Sequence, residues 1–178
     1  RIISSFLVSS EKKLSITSRA ILRLCAWLSA EAIPKAIFNE GIDFVKKAEE
    51  MMREELQDSQ TGDDSTSLPD KNRIKKATHE LARYSMITPR RDDFRVHRLV
   101  QTVERINTPQ EKKHAWMNNV LYNVYNYIPE SPSPQEPDSW PLWESMQTHV
   151  ASIIEHLGSE NIKYEAAELM NELGLYLY

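Results

Sequence analysis

The chain has 178 residues, of which 40% are hydrophobic and 27% charged, so it can bury a core in one or two small domains. Only 4 glycines are present, which argues against a β-sandwich with its many tight turns and favours helices. The net charge of −4 argues against a protein that binds nucleic acid electrostatically over its whole surface.

Several segments carry apolar residues every three or four positions, the spacing that places them on one face of a helix. In chain order, the predicted helices span residues 14–28, 42–56, 70–84, 98–106, 109–128, 140–157 and 161–178. Ser15 or Thr17 could cap the first helix, Pro34 could occupy the first turn of a short additional helix, and Asp70 could cap the helix that begins there.

The segments between these helices carry their own signals. Residues 57–69 lack periodicity and are rich in Ser, Thr, Asp and Gly, which predicts a flexible surface loop. Two short extended pieces, SMITP and FRV, are joined by RRDD and predict a hairpin. Residues 129–139 hold four prolines, which excludes an α-helix and indicates a boundary.

The order of these elements predicts a mainly α fold in four parts. Three helices and a two-stranded wing form a winged-helix domain over residues 14–106, after an N-terminal lead-in over 1–13. A connecting helix and a proline-rich linker occupy 107–139. Antiparallel helices over 140–178 begin a tetratricopeptide-like helical array.

Two pairs of segments carry a resemblance to a known family. ILRLCAWLSAEAIPKAIF and LARYSMITPRRDDFRVHRLVQTVER resemble the winged-helix part of NB-ARC-type (STAND) signalling ATPases, in the version followed by tetratricopeptide (TPR) repeats. SWPLWESMQTHVASIIEHL and AAELMNELGLYLY resemble the join into those repeats and their first helix. The resemblance covers most of residues 14–178, and FRVHRLVQ and the SWPLWE segment are its most specific parts.

The resemblance implies a role for His97. In that family a Met-His-Asp motif lies where the hairpin leads into the last winged-helix helix, and its histidine contacts the β-phosphate of bound ADP. Val96-His97-Arg98 falls at the matching place, so His97 would be the nucleotide-sensing residue. A neutral imidazole can donate one hydrogen bond to a phosphate oxygen, and a helix N-terminus favours anions. Arg98 replaces the aspartate, so that residue's role does not carry over. The alternative is a histidine whose ring is satisfied by a nearby backbone carbonyl.

The rest of a nucleotide site is missing from the chain. It contains no G-x-x-x-x-G-K-S/T loop, so we predict that it is not an enzyme and binds no cofactor by itself. Because it begins at Arg1 and stops at Tyr178 inside a helical pattern, we expect it to be a piece of a longer protein. That longer protein would be an ATPase. An upstream nucleotide-binding domain would supply the ADP or ATP site. The other expected partners are a protein recognised by the repeat array and, through the open end of the array, a second copy of the chain.

A run of basic residues offers a second candidate site. Within 28 residues, only Glu80, Asp92 and Asp93 oppose nine lysines and arginines. The candidate basic surface consists of Lys71, Arg73, Lys75, Lys76, Arg90, Arg91 and Arg95, with Arg83 and Arg98 nearby. This run could belong to a winged-helix nucleic-acid-binding module, to a solvated face, or to a face that docks an acidic domain. We do not expect nucleic acid as a partner, because the rest of the chain is negative. A plain helical scaffold is a further alternative.

Other chemistry finds no support in the sequence. No two histidines lie three or four residues apart, so we predict no metal site. The one cysteine, Cys25, lies among apolar residues, which indicates a core position and fits a reducing compartment. No apolar run reaches the roughly 18 residues of a membrane-spanning helix. We therefore expect a cytoplasmic protein without membrane contact.

Overall fold

The computed structural model describes residues 14–56, 70–158 and 163–178. They form a mainly helical structure with a small three-stranded antiparallel sheet. The predicted lead-in over 1–13 and the predicted loop over 57–69 lie outside the described residues. In chain order the elements are α1 (Ile16–Cys25), β1 (Ile33–Pro34), α2 (Lys35–Glu40), α3 (Ile42–Leu56), α4 (Asp70–Arg83), β2 (Ile87–Pro89), β3 (Asp93–Val96), α5 (Arg98–Asn107), α6 (Gln110–Tyr127), a 3-10 turn (Pro137–Ser139), α7 (Trp140–Leu157) and α8 (Tyr164–Leu177).

The predicted helices are confirmed within the described residues, and the largest difference in their bounds is at α1. This helix is shorter than predicted at both ends. Ser15 caps it, since its hydroxyl oxygen accepts a hydrogen bond from the N–H of Ser18 at 3.3 Å. After Cys25 the N–H groups of Ala26, Trp27 and Leu28 bond to carbonyls three residues earlier, at 3.2–3.3 Å. This tighter winding is typical of the last turn of a helix, where it satisfies carbonyls that would otherwise lack partners.

The predicted hairpin is confirmed, and the sheet has one strand more than the sequence indicated. β2 and β3 pair antiparallel, with Ile87 opposite Val96. β1 pairs with the other edge of β3, with Ile33 opposite Phe94. The prediction that Pro34 lies in the first turn of a helix is therefore wrong, because Pro34 is extended and precedes α2. Proline suits this position because an edge strand does not need its N–H for pairing.

Helix α1 lies at the centre of the structure and packs on α3, α4, α5 and α6. Its apolar residues are almost completely buried because neighbours cover it on several sides. Phe38 of α2 stacks on Phe94 of β3, with ring centroids 6.0 Å apart, which joins the short helix to the sheet. Trp116 of α6 and Trp143 of α7 are the largest fully buried side chains.

Helix α7 docks on the part of the chain that connects α1 to the sheet. The hydroxyl of Ser152 donates to the carbonyl of Trp27 at 3.2 Å, and Nε2 of the buried His149 lies 3.3 Å from the carbonyl oxygen of Ala32. The ring of His156 meets the ring of Trp27 edge to face, 5.7 Å between centroids. One continuous hydrophobic core therefore runs from α1 through α6 to α7 and α8.

The segment 129–139 contains no α-helix, as its prolines predict; it forms turns that end in the 3-10 turn before α7. Helix α8 packs on α6 and α7, and its Tyr176 stacks on Trp143 at 6.0 Å between ring centroids. None of the described helices combines the length and the apolarity that crossing a bilayer requires.

Candidate functional site

His97 lies between the hairpin and α5 and caps the N-terminus of that helix. Its side chain is exposed. Its backbone N–H donates to the carbonyl of Met86 at 3.3 Å, which fixes the residue to the start of the hairpin. Its own carbonyl accepts from the N–H of Val100 at 2.8 Å and thereby begins α5. The position of the ring is thus determined by both the hairpin and the helix.

The hydrogen bonds of the His97 ring determine which nitrogen carries the proton. Nδ1 accepts from the N–H of Leu99 at 3.2 Å, in the manner of an N-cap side chain. A neutral imidazole has one donor and one acceptor nitrogen, so the proton of the neutral ring is on Nε2. Among the described residues, no group accepts from Nε2. The ring therefore has no backbone carbonyl as acceptor among these residues, and its Nε2–H is open to solvent or to another acceptor.

An apolar stripe on α5 begins beside this histidine. Leu99 is 49% exposed and Ile106 is 73% exposed. The half-buried Val103 lies between them at helical spacing, four residues after the first and three before the second. We call these three residues the α5 stripe. Large apolar side chains that share one exposed face indicate a surface that another protein surface covers.

Arg98, the residue that follows the histidine, lies on the side of α5 that faces α7. It lines a groove of about 570 Å³ between α5 and α7, together with Thr102, Arg105, Ser152 and Glu155 among others. The guanidinium of Arg105 donates from Nη1 to the carbonyl of Ala26 at 2.5 Å. Burial lowers the pKa of Arg105, and the nearby Glu155 carboxylate opposes that effect. Arg98 and Arg105 are therefore two cations in this groove between α5 and α7.

The structure separates the residues of the predicted basic surface, and Arg73 does not belong to it. Arg73 is only 6% exposed and forms an ion pair with the buried carboxylate of Glu49. That carboxylate also accepts from the hydroxyl of Thr17 at 2.7 Å. Since α4 packs on α1, the position of Arg73 points into the interior, where an arginine needs an anionic partner. Lys71 lies in α4, but its side chain is outside the described part of the structure.

The other predicted basic residues are exposed. Lys75 and Lys76 lie on α4, and Arg90 and Arg91 follow β2 in the hairpin turn. Arg95 is also exposed and forms an ion pair with Glu31 at 2.7 Å, with both side chains about half exposed. Such an exposed pair contributes little in water, and Arg95 lies on β3 and not in the hairpin turn with Arg90 and Arg91.

Sequence reasoning missed Lys35, which the fold brings to the same surface. Its Nζ donates to the carbonyl of Arg91 at 2.9 Å and to the carbonyl of Arg90. It also lines a groove of about 540 Å³ with Lys75, Lys76 and Pro89 among others. Lys35 is distant from these residues in the chain and belongs to no charge run, so no local signal could have placed it there.

Cys25 is completely buried, which confirms its predicted core position. Burial, and then the negative charge of Glu104, raise the pKa of its thiol far above the usual range, so the thiol stays protonated. Within residues 14–56, 70–158 and 163–178, no three His, Cys, Asp or Glu side chains are grouped so that they could hold a metal ion.

No protein-family model, no curated protein and no solved structure matches this chain.

Proposed function

We propose that this chain is the regulatory and protein-interaction segment of a nucleotide-switched STAND/NB-ARC signalling ATPase. It would couple the nucleotide state to a TPR sensor and perform no catalysis of its own. The order of its elements supports this assignment, since residues 14–106 contain several helices and the β2–β3 hairpin, which are the kinds of element that a winged helix would need. The packed helices α6, α7 and α8 that follow would form the start of a repeat array. One free thiol, buried in the core, fits the reducing cytoplasm, where we place the longer protein.

The observation that carries the proposal is the state of His97. The ring is exposed, its Nδ1 is occupied by the N–H of Leu99, and its Nε2–H has no acceptor among the described residues. Nε2–H is a hydrogen-bond donor at the N-terminus of a helix, where the helix also favours negative charge. It would therefore bind an anionic acceptor such as a phosphate oxygen. In the proposed closed state, that acceptor is the β-phosphate of ADP in an upstream nucleotide-binding domain.

The α5 stripe supplies the second half of the closed contact. Leu99 and Ile106 expose large apolar surfaces on the helix that His97 begins. A nucleotide-binding domain that brings ADP to His97 must approach along this helix, so it would cover the stripe. The histidine would make this docking depend on the nucleotide, and the stripe would supply the apolar contact area.

The proposed switch has two states whose populations depend on the nucleotide. With ADP bound, the hydrogen bond from His97 favours the docked arm; when ADP leaves, the arm loses that contact and the released form can assemble. Because α7 is fixed to the α1–β1 connection through Ser152 and His149, a movement of the winged helix would carry the start of the array with it.

The partner-binding end would be the region of α6 and α8. The phenol of Tyr125 donates to Glu168 at 2.7 Å, and this contact raises the pKa of Tyr125 to about 12. Beyond it, Met170 and Leu177 are exposed on α8. In a repeat array, such a face packs on the next helix, and in the absence of one it would associate with a second copy of the chain.

The test is the rate of ADP release from the longer protein that carries the nucleotide-binding domain. His97→Ala removes both the cap acceptor and the donor, whereas His97→Ser keeps a cap oxygen and removes only the donor. We expect both variants to release a fluorescent ADP analogue about 10-fold to 100-fold faster, the effect of a lost hydrogen bond to a charged group.

A matched control is His114→Ala, which changes an exposed histidine on α6. It should leave the release rate unchanged. If His97→Ser releases ADP at the wild-type rate, the sensing role is wrong and the histidine only caps α5; a plain helical scaffold would then describe the chain.

A further inference from the structure

We propose that the exposed face of α4, together with the turn of the β2–β3 hairpin, binds double-stranded DNA. This surface lies on other elements than the His97 site on α5, so the proposal does not depend on the proposed nucleotide switch.

The α4 face consists of five exposed side chains at helical spacing: Asn72, Lys75, Lys76, His79 and Arg83. At 3.6 residues per turn they lie within about 100° of one another around the axis. The opposite side of the helix is buried against the core, as Ile74 and Leu81 show. From its first to its last residue the face extends over roughly 16 Å, a length that fits the major groove of a duplex.

The hairpin and α2 extend this face. Arg90 and Arg91 are exposed in the turn beside it. Lys35 is attached to the same turn, since its Nζ donates to the carbonyl of Arg91 at 2.9 Å. The groove of about 540 Å³ between these elements is lined by Lys35, Asn72, Lys75, Lys76, His79 and Pro89 among others. No carboxylate is among these residues.

Acidic residues also flank this surface. Glu40 lines a neighbouring groove with Lys35 and Lys75, and Asp92 is exposed in the hairpin turn, whereas Glu80 and Asp93 have partners. The carboxylate of Glu80 accepts hydrogen bonds from the hydroxyls of Ser15 and Ser18, at 2.6 and 2.5 Å. Asp93 lies 4.0 Å from Arg90. Among the described residues, no carboxylate forms an ion pair with Lys75 or Lys76. Their charges are therefore available to phosphates.

The net charge of −4 does not prevent this binding. At physiological ionic strength, exposed charges more than about 8 Å apart are largely screened from each other. A phosphate that approaches α4 responds to the nearby lysines and arginines and much less to carboxylates on the far side of the molecule. The sequence places five of these cations in one basic run, and the structure adds Lys35 through its hydrogen bonds to the hairpin turn. Six cations therefore lie on α2, on α4 and in the turn: Lys35, Lys75, Lys76, Arg83, Arg90 and Arg91.

The composition of the surface favours a duplex over other anionic partners. Protein interfaces are enriched in aromatic residues and depleted in lysine. Among the described residues, none of the large exposed apolar side chains lies on α2, on α4 or in the hairpin. Single strands are bound mainly by stacking on aromatic side chains, and the face has no Phe, Tyr or Trp.

DNA is favoured over double-stranded RNA for a geometric reason. The major groove of an RNA duplex is too deep and narrow for side chains of a helix to read, whereas that of DNA admits an α-helix. Lysine and arginine can contact phosphates, and Asn72 and His79 can form hydrogen bonds to base edges.

The experiment is a titration of the chain against a fluorescently labelled 20-base-pair DNA of random sequence, followed by anisotropy at 50 mM and 200 mM salt. If about five phosphates are neutralised, the affinity should fall about 10²- to 10³-fold between the two concentrations. At 50 mM salt we expect a micromolar dissociation constant.

The variant Lys75→Glu/Lys76→Glu should weaken binding at least 10-fold at 50 mM salt. Its control, Lys47→Glu/Lys113→Glu, makes the same change in net charge on α3 and α6 and should alter binding less than about 3-fold. Thermal unfolding of each variant verifies that the chain folds. If the double charge reversal does not fold, the milder Lys75→Gln/Lys76→Gln replaces it in the binding measurement.

Three results would overturn the proposal. One is the absence of binding at 50 mM salt, and another is an equal loss in both double variants, which would indicate attraction without a site. The third is tighter binding of a polyglutamate peptide, single-stranded DNA or double-stranded RNA than of the duplex, which would assign the face to another class of partner.

Discussion

Nε of Arg23 lies 2.7 Å from Oε2 of Glu104 in the interior of the molecule, and this ion pair joins α1 to α5. The same guanidinium donates from Nη1 to Glu55 of α3 at 2.9 Å, and it lies 5.7 Å from the ring centroid of Trp116 of α6. All three charged side chains are at most 8% exposed. One cation therefore holds four helices in register around the core.

Replacing Arg23 should be strongly destabilising. Arg23→Met leaves two buried carboxylates without their partner, and removal of one member of a buried pair costs about 3–5 kcal/mol. Urea unfolding followed by circular dichroism measures the loss. Arg95→Met is the control, since the Arg95–Glu31 pair is about half exposed and should contribute less than about 1 kcal/mol. Similar losses in the two variants would show that the buried ion pairs of Arg23 contribute no more to stability than the exposed Arg95–Glu31 pair.

The thiol of Cys25 should react only when the chain unfolds. Burial, and then the charge of Glu104, raise its pKa, so the folded chain has almost no thiolate at pH 8. We expect iodoacetamide to modify the native chain at least about 100-fold more slowly than the urea-unfolded chain, because modification requires opening of the core. Thr88→Cys, an exposed position, in a Cys25→Ala background should react quickly in the folded state. Rapid modification of native Cys25 would contradict its burial.

The same shift predicts a loss of stability in alkali. The unfolded thiol releases its proton near its ordinary pKa of about 8.5, whereas the folded thiol keeps it. Above that pH the folded state binds more protons than the unfolded state, so the free energy of unfolding decreases as the pH rises. Comparison of wild type with Cys25→Ala between pH 8 and pH 10 isolates this contribution, and parallel curves would refute it.

His149 should make the protein sensitive to acid. Its side chain is completely buried; Nε2 lies 3.3 Å from the Ala32 carbonyl, and Nδ1 has no partner. Burial lowers its pKa, and the hydrogen bond to Ala32 opposes this only in part. Since the unfolded ring binds a proton near pH 6.5, stability falls as the pH drops from there toward the folded pKa.

The measurement compares unfolding midpoints at pH 7.5 and 5.5 for wild type and His149→Leu. The variant should lose less stability on acidification, by about 1 kcal/mol. His114→Gln, which changes an exposed histidine, should behave as wild type does. An equal acid-induced loss in wild type and His149→Leu would mean that other groups cause the acid sensitivity.

The sequence predicted what depends on local periodicity. Helices such as α3 and α7 follow from apolar spacing alone, and the hairpin follows from two extended pieces around RRDD. β1 could not be predicted, because two residues are too short to show an alternating pattern and its pairing with β3 is long-range. The burial of Arg73 was equally invisible, since it depends on Glu49 of another helix.

The candidate sites also contain some residues that local sequence patterns could locate and others that they could not. His97 could be located from the hairpin–helix junction, because both the cap and the turn are local features. Lys35 and the docking of α7 on Trp27 and Ala32 depend on contacts between distant parts of the chain. A pattern within one segment cannot specify such contacts.

The last prediction concerns whether the two predicted halves, 14–106 and 140–178, unfold together. The core is continuous across them, and Ile153 of α7 is 2% exposed within it. Ile153→Ala should therefore destabilise the chain by about 2–5 kcal/mol and increase amide hydrogen exchange in α1 as well as in α7. Glu144→Ala, at an exposed position of the same helix, is the control and should leave exchange in α1 unchanged. If Ile153→Ala accelerates exchange in α7 and α8 alone, residues 140–178 form an independent unit, and movement of residues 14–106 would not be transmitted to them through Ser152 and His149.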